Sequence, residues 1–324
     1  MAPNILIGTG SWDHNFGIDQ VRDQMAQLDK LNCREIDSGA LYPFTNPGMA
    51  ETFLGEIGYE GIILDTKAMW FDGGNNTLTV NAVRKSMAES LARLKAEKVN
   101  IFYAHGPDHA TPLKEQAAAF DAVYREGKCA KTGICNFSPE SFAEYLDICE
   151  EMGYVKPSAF QGQYNLLCRG YETTLFPLLR KHGISFVAYS PLAGGMLTGK
   201  VTLSSNNPDA LRGTRFEVSK DNLMGMAGRN WYDKPVFHDA IRKLDVLCKT
   251  HGVDMTDASM RWVLHHSILD GEKGDGVIIG PRSRHQLDSY AAAIKGGPLP
   301  QGLVEGMNDL WENVADDAAP ILVY

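Results

Sequence analysis

Four polar residues, Asp37, Tyr42, Lys67 and His105, carry the chemistry this sequence offers. Three of them end short apolar runs that read as β-strands: Arg34-Glu35-Ile36-Asp37, Gly61-Ile62-Ile63-Leu64-Asp65-Thr66-Lys67 and Asn100-Ile101-Phe102-Tyr103-Ala104-His105. Tyr42 follows Asp37 by one short loop. Together they offer a phenol as proton donor, a cation to tune it, an anion to hold the cation, and an imidazole to orient a carbonyl. That set suits the reduction of a carbonyl group. A phenol at its reference pKa of about 10 is a sluggish acid at neutral pH, so a nearby ammonium is expected to lower that value. The protein cannot itself provide hydride, so a reduced nicotinamide must do so.

The elements that would position these residues recur along the chain. Strand-like runs cover Asn4–Gly8, Arg34–Asp37, Ile62–Lys67, Asn100–Ala104, Lys131–Cys135, Ala159–Gln163, Ser185–Tyr189 and Gly276–Ile279. The first seven recur at roughly the length of a βα unit. Helical patterns lie between them, as where Val80, Val83, Met87, Leu91 and Leu94 share one face. Thr111-Pro112 and Ser138-Pro139 read as a capping hydroxyl followed by a proline at the first helical position. Gly127, Gly153, Gly183 and Gly252 read as stops. Eight βα units predict a (β/α)₈ barrel forming one domain over residues 1–324, with its active site at the C-terminal strand ends. The competing open sheet fits less well, because Gly8-Thr9-Gly10-Ser11-Trp12-Asp13 lacks the third glycine of a dinucleotide fingerprint. One stretch, about residues 199–233, is rich in Ser, Asn, Gly and Asp without sustained period. It reads as a lid, a binding loop or a solvated insertion. After the last strand, Arg284 to Lys295 and Gly302 to Val314 look helical, and the tail from Ala318 is apolar enough to pack.

The remaining polar strand ends are Asn136, Gln161, Tyr189 with Ser190, and Arg282 with Ser283. The chain resembles the aldo-keto reductases, and most of all their aflatoxin-aldehyde reductase subgroup. The segments that carry this are Glu35-Ile36-Asp37-Ser38, Phe102 to His109 (Phe-Tyr-Ala-His-Gly-Pro-Asp-His), Tyr189 to Lys200 and Arg261 to Ser267. The resemblance implies a barrel that reduces aldehydes or ketones with NADPH, with Tyr42 as acid and Asp37, Lys67 and His105 as its partners. It further implies that Asn136 and Gln161 bond the nicotinamide carboxamide and that Tyr189 stacks on the ring. Ser190, Leu192, Gly194 and Gly195 would wrap the pyrophosphate. Arg282 and Ser283 fall where the family holds the 2′-phosphate, which favours NADPH over NADH, and Gln286 is expected as a further cofactor contact. Two positions depart from the family: Cys135 precedes Asn136 where a serine is usual, and Tyr290 stands where an asparagine often meets the adenine.

Trp12 and Trp70, just past the first and third strands, are expected as pocket walls. Asn165 and Arg215 are candidates for substrate contact. His105 and His109 have a metal-like spacing, but Gly106 and Pro107 between them argue against a helix and so against zinc. At net charge −9 and without a Lys/Arg cluster, nucleic acid and anionic membrane are poor partners. The N-terminus shows no signal peptide, and no apolar run spans a bilayer. Six cysteines without paired spacing read as free thiols of a cytoplasmic protein. The expected partner is a small carbonyl compound; the sequence does not fix the oligomeric state, and a homodimer is compatible with it. Two other classes are open: a cofactor-binding auxiliary subunit with little turnover, and a metal-dependent hydrolase on the same barrel, for which only Asp37 and His105 qualify as ligands.

Overall fold

The computed structural model describes residues 1–12, 16–204, 211, 216–217 and 223–322. Among these, eight parallel strands close into a barrel in chain order: β1 (Asn4–Gly8), β2 (Glu35–Asp37), β3 (Ile63–Lys67), β4 (Val99–Ala104), β5 (Cys129–Cys135), β6 (Ala159–Gln163), β7 (Ser185–Tyr189) and β8 (Gly276–Ile279). The barrel seals where Leu6 of β1 pairs with Ile278 of β8. The expected (β/α)₈ architecture is what forms, and each strand begins within two residues of where the apolar pattern starts it.

The helices α1 (Ile18–Met25), α2 (Met49–Ile57), α3 (Val80–Leu94), α4 (Leu113–Arg125) and α5 (Pro139–Met152) follow β1 to β5. Two short helices, α6 (Tyr171–Thr174) and α7 (Phe176–His182), follow β6. Between β7 and β8 come α8 (Lys200–Leu203), α9 (Leu223–Tyr232), α10 (Pro235–His251) and α11 (Met255–His265). Past β8 the chain forms α12 (Arg284–Lys295) and α13 (Gln301–Ala318), and α13 packs on α10. The stretch expected to be irregular thus holds two helices, α8 and α9. α8 is a single turn and α9 is interrupted by two glycines, so neither carries a sustained periodic signal.

The period-two alternation of the strands separates two cores. Outward residues such as Ile7, Ile36, Leu64, Phe102, Ile134, Phe160, Phe186 and Val277 meet the helices. Inward residues Leu6, Ile101, Tyr103, Cys135, Ala159, Val187 and Ile278 fill the barrel. Gly133 belongs to that filling, since a Cβ there would lie 2.3 Å from the Tyr103 ring. The interior is packed, so the charged residues of β2 and β3 that also point inward must find partners there.

Helix ends follow the expected chemistry with one exception. Ser138 caps α5 by accepting from Ser141 N at 3.1 Å, and Pro139 opens the helix. Thr111 does not cap α4; its hydroxyl donates to Asp108 Oδ2 at 2.7 Å, and Pro112 itself takes the cap position. Gly153, Gly183 and Gly252 end their helices with φ near +65°. After α13 a short turn buries Ile321. All six cysteines are buried free thiols, and no helix among the described residues is long and apolar enough to cross a membrane.

Candidate active site

The C-terminal ends of β2, β3 and β4 bring Asp37, Lys67 and His105 together, and the β2–α2 loop brings Tyr42 onto them. Lys67 is fully buried. Its Nζ donates to Asp37 Oδ2 at 2.6 Å and to the Ser38 carbonyl at 2.7 Å, and it sits 4.9 Å from the centre of the Tyr42 ring. Asp37 Oδ1 accepts from Gln161 Nε2 at 2.8 Å. The Tyr42 hydroxyl lies 3.1 Å from His105 Nε2, with the two rings perpendicular. Gly10 and Gly39 flank the phenol: a Cβ at either would lie 3.2–3.3 Å from its ring atoms. The backbone just past β1 and β2 thus clamps the tyrosine from two sides.

Electrostatics set the protonation of each group. Burial alone would lower the Lys67 ammonium, but the Asp37 carboxylate and the Tyr42 oxygen outweigh it and hold it above its usual range. Burial, then the Lys67 charge, push His105 well below its usual value, so the imidazole is neutral. Its Nδ1 meets no hydrogen-bond partner among the described residues. Burial pushes the Tyr42 phenol up to about 12, and the pull of Lys67 only moderates this. Lys67 lowers the phenol as expected, but desolvation outweighs that pull, so the net shift is upward and at neutral pH the phenol is protonated.

The second group of expected residues lines β5 to β8. Asn136, held at φ +63°, donates from Nδ2 to the His105 carbonyl at 3.0 Å and accepts at Oδ1 from the Tyr189 hydroxyl at 2.9 Å. Cys135 points into the barrel core, and burial pushes its thiol well up despite Lys67. The turn after β7 strings together left-handed residues, Ser190, Ala193, Gly194 and Gly195. Such a run curls the backbone into a concave shape that can present N–H groups to an anion. Ser283 caps α12 by accepting from Gln286 N at 3.3 Å, and Gln286 Oε1 accepts from Arg282 N at 2.7 Å. Arg282, Ser283 and Arg284 face α1 across a cleft of about 300 Å³. A concave turn, a helix N-terminus and guanidinium groups suit the phosphates of a dinucleotide, and the Asn136 amide suits a carboxamide. The residues present therefore fit a nicotinamide dinucleotide.

Of the described residues expected to meet substrate, Trp70 alone stands beside the site, 6.2 Å between its ring and His105, with its N–H on the Pro107 carbonyl at 2.9 Å. Trp12 is not a pocket wall. It is wholly buried, stacks on Phe16 and donates to Gln24, which ties the β1–α1 loop to the Pro281 carbonyl. Asn165 does not face substrate either. It is wholly buried, with Nδ2 on the Ser190 carbonyl at 3.1 Å and on the Tyr232 hydroxyl at 3.0 Å, and Oδ1 on Leu167 N at 2.9 Å. It joins the β7 turn to α9. Nearness to a strand end does not say which side of the wall a side chain takes. Arg215 lies outside the described residues.

Two residues near the site went unassigned in the sequence. Tyr103 precedes His105 by two on the same strand and so shares its inward face, a signal that period two alone provides. Tyr232, at the end of α9, had no local signal. Among the described residues no group of three or more His, Cys, Asp or Glu side chains is arranged to hold a metal.

The profile of the Aldo/keto reductase family matches residues 4–312. The chain is 36% identical to aflatoxin B1 aldehyde reductase member 2 of Rattus norvegicus over 98% of its length and 87% of that protein's. It is 36% identical to the human aldo-keto reductase family 7 member A3 over 87% of this chain and 86% of the other. The oxidoreductase sirO of Leptosphaeria maculans is 31% identical over 98% and 96% of the two chains.

Proposed function

Since the chain belongs to the aldo/keto reductase family and is thus an oxidoreductase, we propose that it reduces an aldehyde or ketone with NADPH, using Tyr42 as the proton donor. The observation that carries this is the loaded phenol: a protonated Tyr42 hydroxyl 3.1 Å from a neutral imidazole, above a buried lysine–aspartate pair.

A reduced nicotinamide, when bound, supplies hydride to the carbonyl carbon. Asn136 would hold its carboxamide, the half-buried Tyr189 its ring, and the 190–195 turn its phosphates, with Arg282 and Ser283 suited to a 2′-phosphate. Gln161 spends its amide N–H on Asp37, so its first role is to orient that carboxylate. As the carbonyl carbon gains hydride, the C=O electron pair moves to oxygen, which takes the Tyr42 proton. His105 and the phenol orient that oxygen. The Lys67 ammonium, fixed by Asp37, stabilises the phenolate left behind at the moment charge appears on it. Lys67 already moderates the phenol at about 12, and without that cation the phenol would hold its proton more tightly still. Lys67 thus acts on the ionised form and not on the resting one. The relatives named as reductases and oxidoreductases do not favour an auxiliary subunit with little turnover.

NADPH absorbance should fall when the protein meets a panel of aldehydes. Tyr42→Phe should cut that turnover by about 10²- to 10⁴-fold while NADPH binding, followed by fluorescence, persists. Full turnover by Tyr42→Phe would remove the phenol from the reaction.

A further inference from the structure

Asp108 makes no contact with the four residues above, yet it is 2% exposed and fully engaged. Its Oδ1 accepts from Asn76 N at 3.1 Å and Ala110 N at 3.0 Å; its Oδ2 accepts from Leu78 N at 2.8 Å and the Thr111 hydroxyl at 2.7 Å. Two of these donors belong to its own loop after β4. The other two belong to the loop after β3, which carries Trp70. The same two loops touch at other points. Trp70 donates to the Pro107 carbonyl, a Cβ on Gly106 would lie 2.7 Å from the indole, and a Cβ on Gly74 would lie 2.2 Å from the Pro107 oxygen. The carboxylate therefore stitches a seam between the loops, and the indole packed along that seam stands beside His105.

We propose that Asp108 is a positioning residue: by clamping the β3 loop to the β4 loop it fixes Trp70 as the wall against which a carbonyl substrate is aligned at His105. This rests on the reductase reading. The wall belongs to the substrate side. The cofactor groups, Asn136, Tyr189 and the 190–195 turn, lie at the ends of β5 and β7 and make no hydrogen bond to Asp108; Asn136 meets the β4 loop only at the His105 carbonyl. Loss of the clamp should weaken substrate placement and leave cofactor binding alone.

The test is a double-mutant cycle on the full chain with NADPH and 4-nitrobenzaldehyde. Asp108→Asn keeps the size of the side chain but turns one acceptor into a donor facing N–H groups. It should raise KM about tenfold with kcat changed less than about threefold, and leave the NADPH dissociation constant unchanged. In a Trp70→Ala background the same substitution should change KM by less than about twofold, because the wall is already gone. A second readout needs no turnover: Trp70 emission, taken as the difference between each protein and its Trp70→Ala counterpart, should shift to the red in Asp108→Asn. If Asp108→Asn does not fold, Thr111→Val removes one of the four donors and should raise KM about threefold by the same logic. The proposal is overturned by unchanged Trp70 emission, by an equal KM rise in both backgrounds, or by NADPH affinity falling in step with KM. A parent protein that fails to oxidise NADPH with every carbonyl of the panel would remove the reductase reading instead, and the emission difference would still decide whether Asp108 holds the indole.

Discussion

Two aspartates stand side by side inside this barrel and meet opposite fates. Asp37 of β2 and Asp65 of β3 are partners in the strand register, and both are almost wholly buried. Asp37 receives the Lys67 ammonium on one oxygen and the Gln161 amide on the other. Asp65 receives Asn100 Nδ2 and Ile101 N on Oδ1, while its Oδ2 meets no donor among the described residues and has Glu35 beside it. Burial, then the Glu35 charge, hold the Asp65 carboxyl well above the usual range. Burial also raises Glu35. The two acids together keep a proton that a solvated pair would lose. Depth is the same in both places, so the partners make the difference: an ammonium and an amide at Asp37, a second acid at Asp65. The upper pair stores a fixed positive charge under the phenol. The lower pair has no cation, and burial favours its protonated form.

Breaking the upper pair should produce the largest effect. Lys67→Met leaves the Asp37 carboxylate buried without its cation, which typically costs about 3–5 kcal/mol. It also removes the charge that receives the phenolate, so turnover should fall at least about 10²-fold. Urea midpoints would register the first effect and NADPH oxidation the second. Lys67→Met with Asp37→Asn removes both charges and should recover most of the stability but none of the turnover. If the double variant regained activity, the cation would have no catalytic part.

The lower pair sharpens the contrast through its pH dependence. A carboxyl whose folded pKa lies above its unfolded one contributes stability that is complete below the unfolded value, about 4, and is lost as pH rises through the folded value. Asp65→Asn mimics the protonated acid: its oxygen can keep Asn100 and Ile101, and its amide N–H can donate to Glu35. The variant should match the parent near pH 4 and become the more stable of the two as pH rises toward neutrality. Urea midpoints across that range, with turnover held within about threefold of the parent, would check it. A parent whose advantage over Asp65→Asn grew with pH would mean that Asp65 is ionised and paired in the fold.

The sequence shows half of this contrast plainly. Asp37, Lys67 and His105 each end an apolar run, and a charge in that place stands out against period-two packing. The eight strands were legible for the same reason. Depth and partner were not. The net upward shift of Tyr42 depends on how closely Gly10, Gly39 and His105 crowd it, which no local pattern encodes. Asp108 lay in full view within His105-Gly106-Pro107-Asp108, but its partners Asn76 and Leu78 come from a different βα unit. Trp12 and Asn165 show the opposite failure: they sit near strand ends, as pocket residues do, and packing turned both inward.

Tyr103 lies between the two aspartates' domains of influence and should give the smallest effect. Its ring fills the space that Gly133 leaves, and Lys67 Nζ lies 6.0 Å from its centre. Its hydroxyl is buried and meets no partner among the described residues. Burial pushes that phenol well up, with the neighbouring aspartates acting in the same direction, so it carries its proton throughout the neutral range. Phenylalanine keeps the ring and its place under the ammonium while removing a polar group that has exchanged water for nothing. Tyr103→Phe should therefore leave turnover intact and change stability by between zero and about +1 kcal/mol. A loss of more than about 1 kcal/mol would show that the hydroxyl is bonded after all.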